Sequence, residues 1–234
     1  MNKGKYLSGC LICGQELVYL PQALAQTCVY CGKTFDSDAH CSQGHYVCDH
    51  CHSADAGDLI EQYCFQTRLT DPVEMAIILM SHPSVAMHGP EHHFLVPAVL
   101  LAAYYNHQGD GDKAVKIQQA RKRAEGVPGG SCGTCGNCGA AVGTGIFVSL
   151  ITGANPLSKQ EWRLSNQMTA QSLVAIAEHG GPRCCKRDTF LALQSAQSFL
   201  QSEMGTVMEI TSPIRCDFHA LNRECLQTDC PFFL

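Results

Sequence analysis

The sequence is short of charge, has no long basic run, and has no apolar stretch of membrane-spanning length. Charged residues make up 16% of the chain and the formal net charge is −5, so nothing points to a polyanionic partner. No run of Lys and Arg exceeds three residues. Nucleic-acid binding, which draws its affinity from clustered phosphate contacts, is therefore not expected. The longest apolar stretches, Phe94–Tyr105 and Ile146–Ile151, fall short of the roughly 20 residues needed to cross a bilayer. Met1–Ser8 is polar, and Cys10 and Cys13 break the first apolar stretch at once, so no secretory leader is visible. A cytoplasmic protein with no membrane contact is expected.

What the chain does have is cysteine, sixteen in 234 residues. In a reducing compartment thiols persist as metal ligands, as nucleophiles or as small buried hydrophobes. Spacing has to separate these uses.

Cys10-Leu-Ile-Cys13 and Cys28-Val-Tyr-Cys31 are two CxxC pairs, each followed by a glycine that lets the backbone curl beneath the thiols. Two such knuckles joined by a hairpin make the four-cysteine site of a zinc ribbon. Cys41, His45, Cys48 and Cys51 follow as a compact set of three cysteines and a histidine, again suited to zinc, with His40, His50 and His52 as flanking candidates. The other arrangement open to these eight ligands is a cross-brace, in which the three groups are shared differently between two zincs. Few large apolar side chains lie in this stretch, so metal has to supply stability that a core cannot. Met1–Asp55 carries three lysines against five acidic residues, which is no nucleic-acid surface. The expected organisation is a zinc-binding module over 1–55 and a helical domain over 56–234.

The fold class is mainly α. Asp71-Pro72-Val73-Glu74 places a capping residue and a proline at the start of an apolar run to Met80. Gly89-Pro90 opens a second helix to about Asn106, with Pro97 expected to kink it. Asp110 or Asp112 opens a third, with Arg121, Lys122 and Arg123 in its last turn. Ala140–Thr152 reads as a buried helix in which Gly143 and Gly145 permit close packing. Ser158-Lys-Gln-Glu161 has the form of a capping box, Thr169–His179 ends at Gly180-Gly181, and Pro182 begins a long helix to Glu203. Thr206–Thr211 has the pattern of a strand, and Cys64 that of a core residue.

Three segments carry residues suited to chemistry. Met87-His88-Gly89-Pro90-Glu91-His92-His93 puts imidazoles and a carboxylate at a helix start, where they either react or simply cap and pack. The glycine-rich segment around Cys132, Cys135 and Cys138 lets backbone amides approach a ligand or an iron–sulfur cluster. In Gly180-Gly-Pro-Arg183-Cys184-Cys185-Lys186-Arg187-Asp188, a helix start and three cations would favour thiolate over thiol. The tail adds Cys216, Cys225 and Cys230, with His219, as ligands of a third metal site or as a cover for the reactive one.

At these residues the chain resembles an uncharacterised cysteine-rich domain family associated with radical S-adenosylmethionine proteins. The matching stretches are C-L-I-C-G, G-H-Y-V-C-D-H-C-H, H-G-P-E-H-H, V-P-G-G-S-C-G, C-G-A-A-V-G-T-G-I-F and G-G-P-R-C-C-K-R, which cover most of the chain. The resemblance carries no activity. It does imply a radical S-adenosylmethionine partner, which must be a separate protein because no CxxxCxxC motif is present here. In addition, C-C-K-R-D is similar to a cysteine followed by Lys-Arg in iron–sulfur serine dehydratases, and the helical cysteine desulfidases share some likeness. That likeness implies a [4Fe–4S] cluster with an open iron holding a small carboxylate.

Two functions follow. One is a metal-dependent enzyme with structural zinc. Its pocket would be formed by His88, Glu91, His92, Arg183, Cys184 and Cys185, backed by Cys132, Cys135 and Cys138, and would take a small anionic substrate for sulfur, redox or lyase chemistry. The other is a non-catalytic metal-binding module that docks on a partner, or delivers metal or sulfur to it.

Overall fold

The computed structural model describes residues 9–109 and 111–233, apart from the side chains of Asp49 and Ser53. Met1–Ser8 and Asp110, both read above, lie outside the described residues. The described chain is mainly helical. Among the described residues a two-stranded antiparallel hairpin, β1 (Leu17–Thr27) and β2 (Thr34–Cys41), precedes nine α-helices. Leu17 pairs with Cys41 and Thr27 with Thr34, with an irregularity in β1 between Tyr19 and Leu24. Among the described residues no helix is long and apolar enough to cross a membrane.

The short helix α1 (Asp49–Ser53) leads into α2 (Ala56–Gln66), whose N-cap Asp55 accepts from the Asp58 N–H. Helix α3 (Pro72–Ser81) begins as its sequence dictates. The Asp71 carboxylate accepts from Val73 and Glu74, and Pro72 fills the first turn. Helix α4 (Glu91–Gln108) is buried without interruption from His92 to Ala103. A helix apolar on all sides belongs at the centre of a domain. Accordingly α2, α3, α5 (Lys113–Glu125), α7 (Gly139–Thr152) and α9 (Cys185–Met204) all pack against α4. Pro97 lies inside α4, which runs through it unbroken. Helix α8 (Gln160–Glu178) packs on α7 and α9, and α6 (Ser131–Thr134) is a single turn.

The glycines of α7 allow two close crossings. A Cβ on Gly143 would stand 2.8 Å from Pro97 Cδ and 3.1 Å from the His93 carbonyl, and a Cβ on Gly145 would collide with Thr169.

Three local expectations fail. Ser158 caps no helix: its hydroxyl bonds to the Asn155 carbonyl at 2.8 Å, closing a turn, and α8 starts at Gln160. Helix α9 starts at Cys185 instead of Pro182, with Cys184 as its N-cap. Thr206–Thr211 forms no strand, because side chains and not a neighbouring strand hold its backbone. Gln197 Nε2 donates to the Met208 carbonyl at 3.0 Å, and the Asp71 carboxylate accepts from the Thr211 N–H at 2.8 Å.

The hairpin is seated on the helices. Tyr30, in the turn between the strands, is fully buried and packs edge-on against Tyr63 and His82, with centroids 6.2 and 5.1 Å away. Gln66 of α2 donates to the Val29 carbonyl at 3.0 Å, so the turn is held by backbone as well as ring contacts.

Candidate metal centres

The N-terminal ligands form two groups, and they are not the groups expected of a zinc ribbon. Cys10, Cys13, Cys41 and His45 bring their ligand atoms within 4.8 Å of one another, and so do Cys28, Cys31, Cys48 and Cys51. The four-cysteine ribbon of Cys10, Cys13, Cys28 and Cys31 is thus corrected, as is the separate knuckle of Cys41, His45, Cys48 and Cys51; the arrangement is the cross-brace. Strand register is the reason. Antiparallel pairing puts the start of β1 beside the end of β2, so the Cys10–Cys13 knuckle meets Cys41. Cys28–Cys31 occupies the connecting turn at the other end, where the chain entering α1 brings Cys48 and Cys51 to it. A bridge between Cys28 and Tyr46 secures that approach.

The geometry fits a small tetrahedral ion. A bond length of ~2.3 Å to sulfur implies sulfurs ~3.8 Å apart. Cys13 and Cys41 sulfurs are 3.4 Å apart, Cys31 and Cys48 sulfurs 3.9 Å, and Cys10 Sγ is 3.7 Å from His45 Nδ1. The thiols are also pre-oriented by backbone donors: Ile12 N–H to Cys10, Gln43 N–H to Cys41, and Cys48 N–H to Cys28. Gly14 and Gly32 complete the first two turns at φ 74° and 67°, a region costly to residues with a Cβ. Burial pushes the Cys10 thiol up to about 11, so capture of a cation there would release a proton. His40 bonds to the Cys41 carbonyl, and His50 and His52 are exposed; none joins either group among the described residues.

In the helical domain the three singled-out segments do meet, but their side chains are mostly committed to structure. Glu91 accepts from the Ala86 N–H at 2.7 Å, pinning the loop ahead of α4. His92 is 1% exposed, with Nδ1 3.1 Å from Thr189 Oγ1 and Nε2 3.2 Å from the Ala86 carbonyl. His93 Nδ1 lies 3.1 Å from the Val127 carbonyl, and its ring fills the space a Cβ on Gly139 would need. His88 Nε2 reaches Asn222 Oδ1 at 3.2 Å in the tail, leaving Nδ1 buried without a partner.

Cys184 and Cys185 part company. Cys185 accepts a backbone hydrogen bond from Gly89 and lies near Cys138 and Asp188, with Cys138 Sγ 3.9 Å from Asp188 Oδ2. Cys184 turns the other way. It lines a cavity of about 20 Å³ together with Arg187, Cys216, Cys225 and Cys230. Cys132 on α6 is half-buried and Cys135, just past its end, is exposed, and neither joins a tight ligand group among the described residues.

The expected reactive thiolate is also corrected. Burial pushes Cys185 up to about 11, Cys138 up to about 12, and Cys184 upward as well. Arg183 at Cys185 and Arg187 at Cys184 do favour the thiolate, but burial outweighs them. Arg183 is exposed, and Lys186 is buried, donating to the Met80 and Val85 carbonyls at 3.2 and 3.1 Å. Arg187 is buried and bonds to the Gly180 and Pro182 carbonyls and to Asp188. Cys64 is fully buried core, as its isolation suggested.

Sequence reasoning missed Tyr30, Gln66 and His82 as the seat of the hairpin, and Arg187 as a wall of the cysteine-lined cavity. No spacing signals a single aromatic at a docking point. Lys186 and Arg187 read as first-turn cations acting on the adjacent thiols, and nothing in the spacing shows that Arg187 faces Cys216, Cys225 and Cys230 of the tail.

Neither a curated protein nor a solved structure matches the chain. The profile of a family of unknown function (DUF5714) matches residues 60–233, well over half of the chain, and the protein belongs to that family.

Proposed function

We propose that this is a zinc-dependent, non-catalytic metal-binding protein, in which two zinc ions cross-brace the N-terminal hairpin and fasten it to the helical domain. One observation carries the reading: two sets of four ligand atoms, one of three cysteines and a histidine and one of four cysteines, each lie within 4.8 Å of one another. Donors of this softness in closed four-ligand sets suit zinc held for structure, with no position left for a substrate. The residues that would have made an enzyme support the same reading, since Glu91 and both nitrogens of His92 are occupied by fixed bonds. A radical S-adenosylmethionine protein is the partner class that the resemblance implies.

A second reading, an enzyme acting on a small anion, draws on the meeting of Cys138, Cys185 and Asp188 near the His88–His93 turn.

Metal analysis of the intact chain tests the first reading. It expects about two zinc ions per chain and loss of the Tyr30 and Tyr63 packing signal on chelation. A protein that binds no zinc, or whose tertiary signal is untouched when zinc is stripped, would refute it.

A further inference from the structure

We infer that the protein forms a two-fold dimer through one face of its N-terminal hairpin, with Tyr19 of each copy seated in a pocket of the other. Strand register builds the face. Residues directly opposite in an antiparallel pair point to the same side of the sheet. Leu17 opposes Cys41, Tyr19 opposes Ala39, Leu24 opposes Ser37, and Gln26 opposes Phe35. These four partners alternate along β2, which runs on past the irregularity in β1, so all eight residues share one side. That side collects Leu17, Tyr19, Leu24 and Phe35, each exposed, and no charged residue. The opposite side takes Asp36, Asp38 and His40.

Such a strand is an unguarded one. None of the eleven residues of β1 is buried and none is charged, although charge is the common protection of an open strand against pairing. Tyr19 is 73% exposed, more than any other Phe, Trp or Tyr among the described residues. On the same face, Leu17 and Ala39 join Leu11, Tyr46 and Val47 in lining a pocket of about 170 Å³. Phe35, its ring 6.3 Å from that of Tyr46, continues the apolar surface away from it. A cavity of roughly 150 Å³ takes a benzene ring. The pocket is therefore large enough for the ring of a tyrosine, and His52 in its lining offers a hydrogen-bond partner to the hydroxyl.

The occupant is a second copy of this chain because one face holds both halves of the contact. A projecting ring beside a hole of ring size is what a two-fold interface requires, where each residue meets its counterpart's neighbour and the reverse. Charge agrees. Two copies of a chain of formal net charge −5 repel one another, and pairing through the opposite side would set Asp36 and Asp38 against their counterparts. The apolar side brings no charge to the contact.

Sedimentation equilibrium of the full chain, with zinc counted on the same samples, tests this. A dimer of 25.4 kDa chains is expected. Tyr19→Ser should weaken it by about 30-fold or more, the loss typical of a central aromatic anchor. Leu24→Lys should weaken it too, by setting like charges on the two faces. Val18→Ser, on the same strand but the opposite side, should leave the dimer intact. All three side chains are exposed, so helicity and zinc content should not change. A photoreactive benzoylphenylalanine at position 19, in a mixture of isotopically heavy and light chains, reads the contact directly. Cross-links should join heavy to light at Leu17, Ala39, Tyr46 or Val47. A chain that is monomeric at every concentration, a dimer indifferent to Tyr19→Ser, equal weakening by Val18→Ser, or cross-links confined within single chains would overturn the inference. Loss of the dimer with zinc retained leaves the metal reading standing, and a dimer that binds no zinc would refute that reading and not this one.

Discussion

Replacing Cys13 and Cys41 together by alanine should cost the protein no more metal than replacing either alone, whereas replacing Cys13 and Cys31 together should cost all of its zinc. The grouping is the reason: Cys13 shares its site with Cys41, and Cys31 shares the other with Cys48. Each single variant should keep about one zinc per chain after exposure to a competing chelator. The Cys13/Cys41 pair should stay at about one and the Cys13/Cys31 pair fall to about zero. A ribbon would give the reverse, with Cys13 and Cys31 losing the same ion.

The two sites should also differ in what their loss does to the fold. Cys28, Cys48 and Cys51 are at most 2% exposed and belong to the same core as Tyr63, Leu79 and Met80. Losing that ion releases Tyr30, whose burial alone is worth about 3–5 kcal/mol by comparison with large aromatic truncations. Cys48→Ala should therefore lower the urea midpoint of the helical domain substantially. Cys13→Ala, at the far end of the hairpin, should barely move it. Metal per chain by mass spectrometry, with far-ultraviolet unfolding curves on the same samples, reads both quantities. Equal destabilisation by Cys13→Ala and Cys48→Ala, or zinc retained in the Cys13/Cys31 pair, would refute the cross-brace.

Gly143→Ala should destabilise the helical domain by about 1–3 kcal/mol through its contact with Pro97 and the His93 carbonyl, outweighing the roughly 1 kcal/mol of helix propensity gained; a variant of higher urea midpoint would show that this crossing has room. Burial, reinforced by the Lys186 ammonium, holds the His92 imidazole well below its ordinary range, and burial lowers His93 too. As pH falls below about 6.5 the unfolded chain takes up protons that the folded chain refuses, so stability is full above that pH and drains away towards the depressed values. His92→Gln should flatten that acid slope relative to wild type, and an unchanged slope would refute the assignment.

Much of the scaffold was legible because its signals are local. Asp71-Pro72 opens α3 by satisfying free N–H groups within three residues, and Gly143 marks a crossing because a side chain there has no room. The candidate N-terminal ligands were equally local, since a CxxC turn followed by glycine has one efficient way to present two sulfurs.

What the sequence could not determine was which turns face each other. Spacing along the chain governs the shape of a knuckle, but the partner of that knuckle is set by strand register, and register paired Cys10 and Cys13 with Cys41 and His45. Tertiary structure alone separated Cys184 from Cys185 as well. One is the residue before α9 and the other its first, so their side chains leave the backbone in different directions, towards the tail thiols and towards Cys138. The same holds for Lys186, Arg187 and Asp188, whose charges would be solvated on a bare helix start. Lys186 lies under Phe218 and Arg187 faces Cys216, Cys225 and Cys230 of the tail some thirty residues downstream, while Asp188 is enclosed with Cys138. Long-range packing of that kind leaves no periodicity in the sequence to read.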